Sequence, residues 1–141
     1  MRPVGLFWEA AGDVNGDGYS DVIIGAYAFD DGANTDEGRA FVYHGAAAGL
    51  NATPNSTPDD ADQIGAWFGW SVASAGDVNG DGYSDVIIGA YGYDDGANMN
   101  EGRAFVYHGS ARPHQQYPDD ADQAAYFALQ GGDVNGDGYR M

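Results

Sequence analysis

The chain has 141 residues, no cysteine, and a formal net charge of −17 from 22 acidic and 5 basic side chains. This acidity opposes binding to nucleic acid or to anionic membranes, so we expect neither nucleic acid nor membrane insertion. No apolar stretch is long enough for a transmembrane helix. The chain has no cysteine and its acidic loops hold no histidine, which argues against zinc and copper sites there, and without cysteine there is no disulfide framework.

The first element in chain order is an acidic nine-residue loop, Asp13–Asp21, which recurs verbatim at Asp77–Asp85 and in truncated form from Asp133. Oxygen-bearing side chains at loop positions 1, 3, 5 and 9 can surround a hard cation, and glycine at position 6 permits a sharp turn. We predict that both intact loops bind Ca²⁺. The third loop has Met141 at its ninth position and should bind more weakly. The predicted ligands are Asp13, Asn15, Asp17, the Tyr19 carbonyl and Asp21; Asp77, Asn79, Asp81, the Tyr83 carbonyl and Asp85; and Asp133, Asn135, Asp137 and Tyr139.

Three other interpretations of these loops compete with calcium binding. Asp-Asn-Gly clusters often form plain turns, but two verbatim copies with alternating oxygen ligands favour metal binding. An EF-hand needs glutamate at position 12, where this chain has Ile24 and Ile88. Magnesium is the second choice of ion because it requires a stricter octahedral shell.

Strands are predicted on either side of each loop. In the second copy these are Gly69–Ala75 before the loop, then Val86–Tyr91 and Gly102–His108 after it, and a weaker strand near residues 62–67. No stretch has a convincing helical period. Four antiparallel strands per repeat are typical of a β-propeller blade, so the predicted fold class is all-β.

An internal repeat extends beyond the loops. Residues 10–45 align with residues 74–109 at an offset of 64, and only five of 36 positions differ. A second echo relates residues 58–63 to residues 118–123. Regular repeats of this length indicate a propeller or a solenoid.

The loops at residues 27–34 and 91–98 join the second and third strands, so they should lie at the end of each sheet opposite the acidic loops. Their aromatic and acidic residues could stack on sugars or meet a basic peptide; alternatively, these are hydrophilic hairpins whose aromatic rings pack between blades. Trp67, Phe68 and Trp70 could likewise form a surface aromatic patch or pack between blades, and we expect packing. The candidate ligand-binding residues are Tyr27, Phe29, Asp30, Asp31, Tyr91, Tyr93, Asp94 and Asp95.

Phe68-Gly69, the acidic loop and the Gly89-Ala90 pair that follows it come in a specific order. In this respect the chain resembles the FG-GAP repeats of integrin alpha-subunit β-propellers and their bacterial relatives. The resemblance implies a seven-bladed propeller with structural calcium between the first and second strands of a blade, and ligands received on the opposite face. It divides the chain into a first blade at residues 1–67, a second at 68–127 and the start of a third at 128–141. Glu9 falls where the second repeat has Ala73, so the first strand should be irregular or peripheral.

A closed propeller needs about four to eight blades, and this chain has only about two and a third repeats. It is therefore a fragment of a longer protein, a unit whose copies assemble into a ring, or a unit that stacks into an open filament. We expect a calcium-binding repeat module for extracellular adhesion or recognition, with self-association or neighbouring blades and a protein or carbohydrate ligand as partners. The alternative is a self-assembling structural protein without a separate ligand.

Enzyme signatures are missing from the sequence: it has no Gly-x-Ser-x-Gly element, no phosphate loop and no Cys/His nucleophile pair, so we do not expect an enzyme. We expect an extracellular or cell-surface location, since weak calcium loops fill where calcium is abundant. No signal peptide is visible in Met1–Trp8, so an export signal would have to lie upstream.

Overall fold

Six β-strands form two separate antiparallel sheets with the same topology. A computed structural model of the chain describes residues 5–30, 32, 34–59, 61, 63–94 and 101–111. The strands are β1 (Leu6–Gly12), β2 (Asp21–Ala26), β3 (Arg39–Tyr43), β4 (Phe68–Gly76), β5 (Asp85–Ala90) and β6 (Arg103–Tyr107). The sheet orders are β1-β2-β3 and β4-β5-β6. The all-β prediction is confirmed: the sheets are unclosed partial β-propeller blades, and no helix occurs in the described ranges, so none there could span a bilayer.

Valine and isoleucine make up half of the central strand of each sheet, and these β-branched residues suit a pleated surface buried on both sides. Ile23 in β2 and Ile88 in β5 are completely buried. The two sheets contribute to a single hydrophobic cluster that includes Val42 from the first sheet and Phe105 from the second. One core therefore joins the two blades.

The second blade begins at the Phe68-Gly69 pair, where it meets the first blade. The Phe68 side chain is fully buried and packs edge-on against Phe105 and Tyr107. Its backbone N–H donates to the Glu37 carbonyl at 2.8 Å. A Cβ on Gly69 would lie 2.8 Å from the Arg39 carbonyl oxygen, so only glycine permits this approach. For Phe68 the structure favours packing, as the sequence predicted, over a surface patch.

The weaker strand predicted near residues 62–67 is not formed in the described residues 63–67, where the chain turns instead. Gly65 and Trp67 have φ angles of 71° and 52°, which a strand does not accommodate. The fourth position of the first sheet is occupied by residues 55–58 instead. There the backbone N–H groups of Ala40 and Val42 donate to the Pro58 and Ser56 carbonyls, both at 2.9 Å.

The first strand is peripheral, as its sequence predicted. Residues 6–10 of β1 are exposed, although they pair with β2 in continuous register up to a bulge at Ala10/Gly12. The mismatch between Glu9 and Ala73 leaves the strand pairing intact, and β4 is less exposed than β1 because strands of the first blade pack on it.

Replacing Phe68 with alanine should remove the largest side chain that is fully buried among the described residues and leave a cavity at the junction of the blades. We expect Phe68→Ala to lower the free energy of unfolding by about 3–5 kcal/mol, measured by urea denaturation. Ile64→Ala is the control, because Ile64 lies nearby in the chain but is 67% exposed and should change stability by no more than about 0.5 kcal/mol. Equal effects of the two substitutions would contradict this packing.

Candidate metal centre

The first acidic loop is folded around the side chain of its first residue. Asp13 Oδ1 accepts a hydrogen bond from the Asp17 N–H at 3.0 Å, and Oδ2 accepts one from the Gly18 N–H at 2.8 Å. Asn15 Oδ1 also accepts from the Asp17 N–H, at 3.2 Å. Two side-chain oxygens therefore converge on one backbone N–H group, which brings loop positions 1 and 3 together.

The fifth position completes this network. Asp17 Oδ1 accepts from the Tyr19 N–H at 3.0 Å, and Oδ2 accepts from the Asn15 side-chain amide at 2.9 Å. The hydrogen bond from Tyr19, followed by that from Asn15, lowers the pKa of Asp17 below its ordinary value. The Asp17 carboxylate is therefore charged at neutral pH.

The second acidic loop repeats the same hydrogen bonds. Asp77 accepts from the Asp81 and Gly82 N–H groups at 3.0 and 2.9 Å, and Asp81 accepts from the Tyr83 N–H at 3.0 Å. Hydrogen bonds from Tyr83 and then Asn79 lower the pKa of Asp81. Identical sequences thus adopt the same local conformation in both blades.

Glycine at the sixth loop position has the left-handed conformation that the sequence predicted. The φ angles are 89° at Gly18 and 93° at Gly82, a region that other residues rarely adopt. Gly16 and Gly80, at the fourth position, have φ angles of 73° and 75°.

The ninth-position acids are completely buried and tie each loop to its sheet. Asp21 Oδ2 accepts from the Val14 N–H at 2.7 Å, and Oδ1 accepts from the Gly45 N–H at 2.9 Å. Asp85 does the same in the second blade with the N–H groups of Val78 and Gly109, at 2.7 and 2.8 Å. Both predicted ligands thus have both carboxylate oxygens engaged with the backbone.

The chemistry of the remaining donors fits a hard cation. In the first loop they are the side-chain oxygens of Asp13, Asn15 and Asp17 and the Tyr19 carbonyl, the oxygen types that calcium prefers. Within the described part of the chain, no group of three or more His, Cys, Asp or Glu side chains is arranged to hold a metal. Each loop brings together the acids at positions 1 and 5 and the amide at position 3. The acid at position 9 instead holds the loop to the sheet through hydrogen bonds from backbone N–H groups.

His44 was not predicted to contact the loop, yet its Nδ1 atom lies 3.2 Å from the Asn15 side-chain nitrogen. The backbone N–H groups of Gly45 and Gly109, which hold the buried acids, were also missed. The only available sequence signal was the His-Gly pair that ends the third strand of both repeats. The third predicted loop, Asp133 to Tyr139, lies outside the described residues.

The loops that join the second and third strands begin at the opposite end of each sheet, as predicted, because β2 and β5 run from one end to the other. There the rings of Phe29 and Tyr93 each pack against an arginine side chain. The guanidinium groups of Arg39 and Arg103 lie 4.8 and 4.1 Å from the centres of their rings. Tyr93 also packs against the core.

Tyr27 and Tyr91 instead join a group of aromatic side chains at the surface, here called the aromatic patch. The Tyr27 ring lies 4.7 Å from the Trp70 ring, and the Tyr91 ring is stacked on Trp67 at 5.8 Å. Trp67 and Trp70 stack on each other at 5.6 Å, and Phe7 lies 6.1 Å from Trp70. The patch combines residues from both blades, and because Trp70 is exposed within it, the expectation of packing rather than a surface patch was wrong for that residue.

The acidic candidates at this end are partly engaged in holding their loops. Asp30 Oδ1 accepts from the Asp36 N–H at 2.7 Å, and the Asp94 backbone N–H and carbonyl bond the Gln63 side chain at 2.7 and 2.9 Å. Asp31 and Asp95 lie outside the described residues.

Comparison with known proteins matches residues 8–43 and 68–107, more than half of the chain, to the family model of the FG-GAP repeat. The chain is similar to human integrin alpha-IIb, with 36% identity over 57% of this chain and 8% of the integrin. It shares 44% identity with Caenorhabditis briggsae integrin alpha pat-2, over 58% of this chain and 7% of the integrin. With Xenopus laevis integrin alpha-4 it shares 35% identity, over 77% of this chain and 10% of the integrin. The chain thus spans about a tenth or less of the length of these relatives.

Proposed function

The chain belongs to the FG-GAP repeat family, and we propose that it is a calcium-binding propeller module of an extracellular adhesion or recognition protein. In this proposal calcium has a structural role. Each ion gathers the acidic oxygens of one loop, which would otherwise repel one another, and so fixes the turn between the first two strands of a blade.

The observation that carries this proposal is the shared conformation of two loops of identical sequence. Asp13 and Asp77 accept hydrogen bonds from the same two loop positions, at distances that agree within about 0.1 Å. Both loops contain only oxygen donors, a set suited to calcium. Hydrogen bonds within each loop hold the side chains at positions 1, 3 and 5 close together, so the donors of each proposed site lie near one another in the fold.

The likeness to integrin alpha subunits supports the adhesion and extracellular parts of the proposal. A protein or carbohydrate ligand would bind at the end of the blades opposite the calcium loops, where the aromatic patch lies. Its rings from Tyr27, Trp70 and Tyr91 offer apolar stacking surface, and Trp70 and Tyr91 are exposed. Phe29 and Tyr93 would support the loops beneath their arginine partners rather than touch the ligand.

Calcium titration of the chelator-treated chain, followed by isothermal calorimetry, tests the metal proposal. We expect uptake of about two ions per chain by the intact loops. Asp17→Asn should abolish binding at the first loop and Asp81→Asn at the second, because each removes a charged ligand at the fifth position. The double variant should lose both sites.

Glu9→Gln is the matched control for these variants, because it removes the same charge from an exposed position of β1. It should leave the stoichiometry and the dissociation constants unchanged. Calcium uptake that persists undiminished in the Asp17→Asn/Asp81→Asn variant would refute the assignment of these loops.

Self-association is the second candidate function, and the outer face of the second blade favours it. Val14 is 6% exposed because the second blade covers it, whereas the equivalent Val78 is 57% exposed. Val78 and its neighbours therefore repeat the surface by which the first blade receives the second. In this candidate function, a blade from another copy of the chain packs on that surface as the second blade packs on the first.

Native mass spectrometry of the pure chain in calcium tests this second candidate. Assembly through repeated blade contacts predicts a discrete oligomer, and Val78→Asp should dissociate it by placing a charge in the contact. The second candidate would be abandoned if the chain remained monomeric at all accessible concentrations.

A further inference from the structure

The two acidic loops have the same sequence but different surroundings. In the first loop Val14 is buried and Asp13 and Asn15 are partly buried, whereas the equivalent Asp77, Val78 and Asn79 are all exposed. The difference cannot come from the loops themselves, because their nine residues are identical. It arises because the second blade packs on the first loop.

The contact involves specific backbone and side-chain groups of the second blade. The Ser84 N–H donates to the Asp13 carbonyl at 2.9 Å, and the Ser110 N–H donates to the Val14 carbonyl at 2.8 Å. The Tyr83 ring lies against Gly16, where a Cβ would overlap it, whereas a Cβ on the equivalent Gly80 would meet nothing within 4 Å. Tyr83 and Ser84 are themselves the seventh and eighth residues of the second loop.

We propose that Tyr83 and Ser84 are positioning residues for the first calcium site, so that the second loop holds the first in its binding conformation. This inference rests on the proposed function, since it concerns the same two sites. The first site then binds calcium more tightly than the second, despite the identical ligands. Neither residue uses its side chain as a ligand of the first site; both act on the backbone that carries Asp13 and Asn15.

The same contact couples the two sites thermodynamically. The Tyr83 carbonyl belongs to the proposed ligands of the second site, so an ion there orders the residue whose ring lies on the first loop. If an ion at the second site orders Tyr83 and so strengthens binding at the first site, thermodynamic linkage requires that an ion at the first site strengthens binding at the second by the same factor. The two sites therefore fill with positive cooperativity.

Amide hydrogen exchange in EGTA tests the contact without metal. The Asp17 and Gly18 N–H groups of the first loop should exchange more slowly than the equivalent Asp81 and Gly82 N–H groups of the second. Tyr83→Ala should remove most of this difference. Equal exchange rates in the two loops of the parent chain would overturn the proposal.

Calorimetry with the second site disabled by Asp81→Asn tests the affinity at the first site. In this background Tyr83→Ala should weaken calcium binding by about fivefold or more. The control uses a chain in which Asp17→Asn disables the first site. There Tyr19→Ala removes the tyrosine equivalent to Tyr83 from the first loop, and calcium affinity at the second site should not change. If Tyr83→Ala weakens the first site by less than about twofold, Tyr83 does not position that site and the proposal is wrong.

Gly16→Ala and Gly80→Ala provide a second, matched pair that does not depend on Tyr83→Ala folding well. Both substitutions strain a backbone with nearly the same positive φ, but only the first meets the Tyr83 ring. Gly16→Ala should therefore weaken its own site more than Gly80→Ala does, and Tyr83→Ala should cancel the excess. A parent chain without calcium uptake overturns both proposals, whereas normal uptake with equal effects of the two glycine variants overturns only the positioning role of Tyr83.

Discussion

The buried carboxylate at the ninth position of each loop is the constraint on which the blade depends. Asp21 lies at the start of β2, and its two oxygens join the Val14 N–H in the loop to the Gly45 N–H beyond β3. One side chain therefore fixes the loop, the central strand and the end of the third strand relative to one another. A charge with no exposed surface is tolerated because hydrogen bonds from backbone N–H groups replace its hydration.

This constraint gives each blade two functional ends. The loop is held against one end of the sheet, where oxygen donors gather, while β2 and β5 carry the chain to the other end, where Tyr27 and Tyr91 meet the tryptophans. The Phe68-Gly69 junction then brings the two blades into one core, so that the aromatic patch draws residues from both. The proposed metal sites stabilise the framework that presents the proposed recognition surface.

The elements with strong local signals were predictable: the strand bounds at β4, β5 and β6 agree with the sequence prediction to within one residue. The prediction of a weaker strand near residues 62–67 was wrong. There the backbone N–H groups of Gly65, Trp67 and Phe68 donate to carbonyls of the first blade, and no local sequence pattern encodes these hydrogen bonds. The ligand types could be read from the alternating acids. The burial of Asp21 and the different exposure of Val14 and Val78 could not, since they depend on packing between distant parts of the chain.

The most direct test of this account is urea unfolding of Asp21→Asn in EGTA, with Asp17→Asn as the control in the exposed part of the same loop. Asparagine at position 21 would direct an N–H group at a backbone N–H, so we expect a loss of about 2 kcal/mol or more even without calcium. Asp17→Asn should cost much less under the same conditions. If the two variants unfold alike, the buried carboxylate does not organise the blade.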